Sequence, residues 1–219
     1  MEDFYTAGMI LNKMALFGVF DGHGGTGVAE FCARNFLSDT QARVLESEEG
    51  LHKGLHTSFL KMDECLRPLY EQHQSTAAAL AGGREDEDED EESPPCPGST
   101  IVVAVVDYEN QRVVVTNVDD SRAILSRNGR AVDLARPQEP EDAVERARIE
   151  AAGVETLPTR YISTLDKAST LGMWRSIGDF EFKMDAARSL QPEATGSHCS
   201  PRDHGGEAGR VRGVFAAHV

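Results

Sequence analysis

Apolar and polar positions fall into two periods along this chain. Residues 4–10 (FYTAGMI) and 14–20 (MALFGVF) are apolar runs separated by Leu11-Asn12-Lys13, which reads as a turn. Together they predict an antiparallel hairpin. The second run is apolar on both faces, which predicts a strand buried on both sides. A helical pattern follows over 26–37, where Val28, Phe31, Cys32 and Phe36 share one face and Thr26 is placed as N-cap. Leu51, Leu55, Phe59, Met62, Leu66 and Leu69 step by three or four and predict a second helix over 50–70.

The pattern breaks at residues 74–98, where small residues run into EDEDEDEE and then SPPCPG. Charge repulsion and proline oppose regular packing, so this stretch is expected to be a disordered surface insertion. Order is predicted to return with β-branched runs at 100–107 (TIVVAVVD) and 111–118 (QRVVVTNV) around a turn at Glu109-Asn110. Residues 122–126 and 130–134 flank Arg127-Asn128-Gly129, and Asn-Gly is a strong hairpin signal. A helix is predicted over 140–152, with Pro140 near its first turn and Gly153 as its stop. From about residue 186 no period is sustained, so 1–185 reads as one domain and 186–219 as a disordered tail.

Charge changes this picture little. The net charge is −15, but 8 of the 37 acidic groups lie in residues 85–92. The rest is mildly acidic, which argues against a nucleic-acid groove. Cys32, Cys65, Cys96 and Cys199 form no CxxC pair and no zinc spacing. They read as reduced thiols of a cytoplasmic or nuclear protein. No apolar run approaches the roughly 18 residues of a membrane helix, so no membrane contact is expected.

The candidate chemistry sits in FGVFDGHGG at 17–25. A buried strand holds its backbone rigidly and so places a carboxylate at its end with precision. Hard divalent cations take oxygen ligands, which Asp21 offers through its carboxylate and Gly22 through its carbonyl. His23 is a poor ligand for such ions but a good proton donor near neutral pH. If 4–10 pairs antiparallel with 14–20, Glu2 and Asp3 come beside Asp21. Carboxylates converging there repel unless cations compensate.

These pieces resemble, in order, the metal-dependent type 2C protein phosphatases, which act on phosphoserine and phosphothreonine. The resemblance rests on MED at 1–3, FGVFDGHGG at 17–25, GST at 98–100, NVDDSRAIL at 117–125, ERARIEAAG at 145–153 and RSIGDFEFK at 175–183. It implies an α+β fold: a central antiparallel β-sandwich flanked by helices on both faces, in four αββα layers, here incomplete. It also implies two Mn²⁺ or Mg²⁺ ions, a bridging water that attacks phosphorus, phosphorylated proteins as partners, and a monomer. By that resemblance Asp21 bridges the metals, Gly22 ligates through its carbonyl, Glu2 ligates the second metal, and Asp3 orients bound water. His23 is the general acid, and Asp120 matches an aspartate that in some members helps hold a third, weaker metal. Arg122, Arg175 and Asp179 match framework positions.

Several positions depart from the family pattern. No phosphate-binding arginine stands upstream of MED, and Asp119 replaces the glycine of a GDSR motif. Arg136-Pro137-Gln138-Glu139-Pro140 stands where the family has DHKP, and the two further metal aspartates have no counterpart after residue 183. The chain reads as a truncated or divergent member with weak metal binding. Three readings stay open: a phosphatase, a catalytically impaired module that binds phosphoproteins, or a partial reading frame without an independent fold.

Overall fold

The structure, a computed structural model, describes residues 2–46, 50–81, 97–135, 137–138, 142–151, 161–163, 170–183, 195–199 and 215–218. The chain opens with β1 (Phe4–Ile10), β2 (Met14–His23), α1 (Gly27–Glu46) and α2 (Leu51–Ala81). Then come β3 (Gly98–Asp107), β4 (Arg112–Val118), β5 (Arg122–Arg127), β6 (Arg130–Ala135) and α3 (Ala143–Ala151). Short strands β7 (Ile162–Ser163), β8 (Thr170–Leu171) and β9 (Ile177–Gly178) follow, then a 3₁₀ turn at Phe180–Phe182, β10 (Thr195–Cys199) and β11 (Phe215–His218).

The larger sheet runs β1-β2-β3-β4-β10, with β9 pairing the start of β3, and every pairing described in it is antiparallel. A second sheet, β11-β5-β6, packs over β3 and β4, burying Val102, Ala104, Val115, Leu125 and Leu134 between them. On the opposite face α1 and α2 bury Leu16, Phe20, Val103 and Val105. Phe36 links Phe20 to Phe59, with ring centroids 5.9 and 4.9 Å apart.

The hairpins follow their local signals. In the β5–β6 turn Asn128 and Gly129 both take positive φ, 53° and 74°, as a type I′ turn requires. The helices depart from prediction in extent. α1 continues past residue 37 to Glu46, and α2 past residue 70 to Ala81. Residues 74–81, expected in the disordered insertion, are therefore helical. Alanine has the highest helix propensity, and Ala77, Ala78, Ala79 and Ala81 fill this stretch. The acidic block itself lies outside the described residues. On the α2 stripe Leu69 is 56% exposed, while Tyr70 packs against Phe180 instead.

α3 starts after Asp142, whose carboxylate caps the Val144 N–H at 2.8 Å. Pro140 and Gly153, the predicted start and stop signals, lie outside the described residues. Helices with antiparallel sheets make the α+β fold that was expected, and among the described residues α1 and α2 cover the larger sheet. α3 has one fully buried apolar residue, Ile149, and it packs with Leu171, Trp174 and Phe182 rather than on the small sheet. The tail also differs from its disordered reading: β10 adds to β4 and β11 adds to β5. An exposed strand edge can recruit a short extended segment of almost any sequence, which is why no period announced them.

Candidate functional site

The site lies where β1, β2, β3 and β9 meet. Phe20 is fully buried and paired on both sides, to Phe4 and to Ile101. This fixes the next residue, Asp21, opposite Thr100. Across the hairpin Asp3 precedes Phe4 and so comes beside Asp21, close enough for their carboxyl groups to interact. Two carboxylates this close repel one another unless a proton or a cation lies between them. Burial pushes the Asp21 carboxyl up to about 6; Asp3 and the charge of Asp120 push the same way, and His23 opposes them.

The other candidates flank this pair. Gly22 lies opposite Ser99, and a Cβ there would come within 2.7 Å of the Glu2 carbonyl oxygen. The Glu2 carboxylate accepts the Gly25 N–H at 3.4 Å, so it closes the glycine turn. Asp120 is exposed in the β4–β5 turn and acts on Asp21 through its charge. Among the described residues no group of three or more His, Cys, Asp or Glu side chains is arranged to hold a metal ion.

His23 has a partner that lies 156 residues away in sequence. Its Nε2 is 2.9 and 3.0 Å from the two carboxylate oxygens of Asp179. Burial lowers the imidazole pKa, but the Asp179 hydrogen bond and charge, with Asp21 and Asp119 adding, hold it above its ordinary value. Asp179 follows β9, and β9 is clamped from behind. Asp63 of α2 accepts the Gly178 N–H at 2.9 Å and the Lys183 ammonium at 2.8 Å.

Asp119 takes φ 80°, the left-handed region that favours glycine. Its side chain offsets that strain: Oδ1 accepts the Trp174 and Arg175 backbone N–H groups at 2.8 and 2.9 Å. Burial pushes its carboxyl up to about 7, against those N–H donors and with the charge of Asp120 adding. Arg175 in turn forms a buried two-pronged pair with Glu145, at 2.8 and 2.7 Å.

A family model described as Protein phosphatase 2C matches residues 6–204, most of the chain. The chain belongs to the protein phosphatase 2C family. "Probable protein phosphatase 2C 58" of Oryza sativa subsp. japonica is 35% identical over 220 residues, covering 88% of this chain and 57% of that protein. "Probable protein phosphatase 2C 4" of Paramecium tetraurelia is 33% identical over 173 residues, covering 79% and 52%. The chain thus spans little more than half the length of the curated relatives it matches. Among solved structures it resembles in fold a serine-threonine phosphatase 2C from Toxoplasma gondii, at TM-score 0.62 and 21% identity, covering 91% of this chain and 70% of that one.

The protein phosphatase 2C resemblance implies two divalent ions, which the donors at hand match in part. Asp3 and Asp21 are hard oxygen donors placed side by side, and one divalent cation between them would relieve their repulsion. A second ion has no grouped donor set among the described residues. Sequence reasoning named Asp21, Gly22, Glu2, Asp3, Asp120 and His23 as candidates, gave Asp179 no role beyond the framework and did not single out Asp63 or Lys183. RSIGDFEFK marked that segment as matching the family without saying what it touches.

Proposed function

We propose that this chain is a serine/threonine protein phosphatase whose cofactor is Mn²⁺ or Mg²⁺. The register that sets Asp3 beside Asp21, two residues before His23, carries this reading. When bound, such an ion acidifies water and neutralises phosphoryl charge. Asp21 and Asp3, with the Gly22 carbonyl, would hold it, and Glu2 and Asp120 flank the pair. His23 would give a proton to the leaving serine or threonine oxygen. In this reading the partners are phosphorylated proteins, met in the cytoplasm or nucleus by a monomer that contacts neither nucleic acid nor membrane.

Phosphate release from a phosphoserine peptide, with and without Mn²⁺, tests the reading. Turnover should require the metal and vanish in Asp21→Asn; turnover indifferent to that substitution overturns it. A second reading is a phosphoprotein-binding module without turnover; among the described residues no third His, Cys, Asp or Glu joins Asp3 and Asp21 in a group arranged to hold an ion. It predicts retained binding of the same peptide and no phosphate release at any Mn²⁺ concentration.

A further inference from the structure

Asp179 is held more tightly than a framework residue needs to be. Its side chain is 1% exposed, and both carboxylate oxygens face the same ring nitrogen of His23. Its backbone lies in the left-handed region, at φ 46° and ψ 43°, where aspartate is tolerated better than most residues. The Asp179 N–H donates to the Pro97 carbonyl at 3.1 Å, and its own carbonyl accepts the Phe182 N–H at 3.0 Å.

The pairing also depends on Gly98. Strand register puts Gly98 opposite His23 on one side and opposite Gly178 on the other. A Cβ at residue 98 would overlap both the Asp179 carboxylate and His23 Nε2. The gap between the two side chains therefore exists only because residue 98 has none.

A carboxylate only accepts, so a ring nitrogen facing two carboxylate oxygens must carry the hydrogen. We infer that Asp179 is a positioning residue that fixes the hydrogen of His23 on Nε2 and so commits Nδ1 to the proton exchanged in the reaction. On the phosphatase reading, on which this last step rests, the Nδ1 proton passes to the serine or threonine oxygen as its bond to phosphorus breaks. The ring is left neutral, with one hydrogen still on Nε2 and donated to Asp179. Asp21, two residues back on β2, lies on the same side of the strand as His23, which places the ring beside the carboxylate pair.

Two measurements test this on the full chain. The first is ¹⁵N spectroscopy of the imidazole rings, with His23 assigned by its loss in His23→Asn. A solvent-protected proton should sit on Nε2. It should weaken in Asp179→Asn, which keeps one neutral acceptor, and disappear in Asp179→Gly, which suits the left-handed backbone. Gly98→Ala should separate the pair with both side chains still present. Any of the three variants that folds suffices. A protected proton on Nδ1, none in the native chain, or one unchanged in the folded variants overturns the inference. The second measurement compares a phosphoserine peptide with p-nitrophenyl phosphate, whose leaving group needs no proton. Asp179→Asn should lower kcat on the peptide by roughly tenfold or more, with KM unchanged and the nitrophenyl ester spared. Equal losses on both substrates overturn the inference. Absence of turnover in the native chain counts against the phosphatase reading alone, and the ring spectrum still decides the role of Asp179.

Discussion

The clamp behind β9 can be broken one charge at a time. Asp63 and Lys183 lie 120 residues apart in sequence and are both almost wholly buried, with side chains 4% and 3% exposed. Lys183 Nζ donates to Asp63 at 2.8 Å and to the Ser176 carbonyl at 2.9 Å; Asp63 also accepts the Gly178 N–H at 2.9 Å. Lys183→Met removes the cation and leaves a buried carboxylate with one backbone donor. Breaking a buried pair from one side costs about 3–5 kcal/mol, because the remaining charge is left uncompensated. For a chain of this size that lowers the melting temperature by about 2–4 °C per kcal/mol. Asp63→Asn keeps an acceptor for Gly178 but strands the ammonium, so its cost should be comparable. The double substitution buries no charge and keeps the Gly178 bond, so it should cost less than either single change. Urea unfolding read by Trp174 fluorescence and far-UV circular dichroism measures all four proteins. Trp174 is the sole tryptophan and is buried in the neighbouring cluster. Single substitutions costing under about 1 kcal/mol would refute the buried-charge reasoning. So would a double substitution costing the sum of the two, since a shared interaction cannot be lost twice.

The remaining predictions concern Asp119 and the aromatic core. The Asp119 carboxyl is raised from 3.8 to about 7, so the folded chain holds a proton that the unfolded chain releases. The stability this gives is fully present below pH 3.8 and is lost as pH rises through about 7. Asp119→Asn should flatten that decline in denaturant unfolding across pH 4–7, and an unchanged slope would count against it. Phe59→Ala should cost about 3–5 kcal/mol in the same unfolding assay, since Phe59 is fully buried against Phe36 at the helix–sheet interface. A loss under about 1 kcal/mol would mean that the site collapses to fill the cavity.

Local patterning determined much of this protein. The β1–β2 hairpin, the Asn128-Gly129 turn, both long helices and the placing of Asp3 beside Asp21 follow from period, turn chemistry and register, each acting over a few residues. The α2 helix runs past its apolar stripe on local alanine propensity. Elsewhere, where prediction stopped short, the deciding forces were long-range. The strands at 195–199 and 215–218 exist because sheet edges accepted them. The same division runs through the site. FGVFDGHGG already wrote the carboxylate, the glycines and the imidazole in one stretch. What the imidazole does with its hydrogen depends on Asp179, brought across by β9, whose Gly178 is held by Asp63 of α2. No periodicity encodes that pairing, because a hydrogen bond between residues 156 apart is set by where the folded sheet places them.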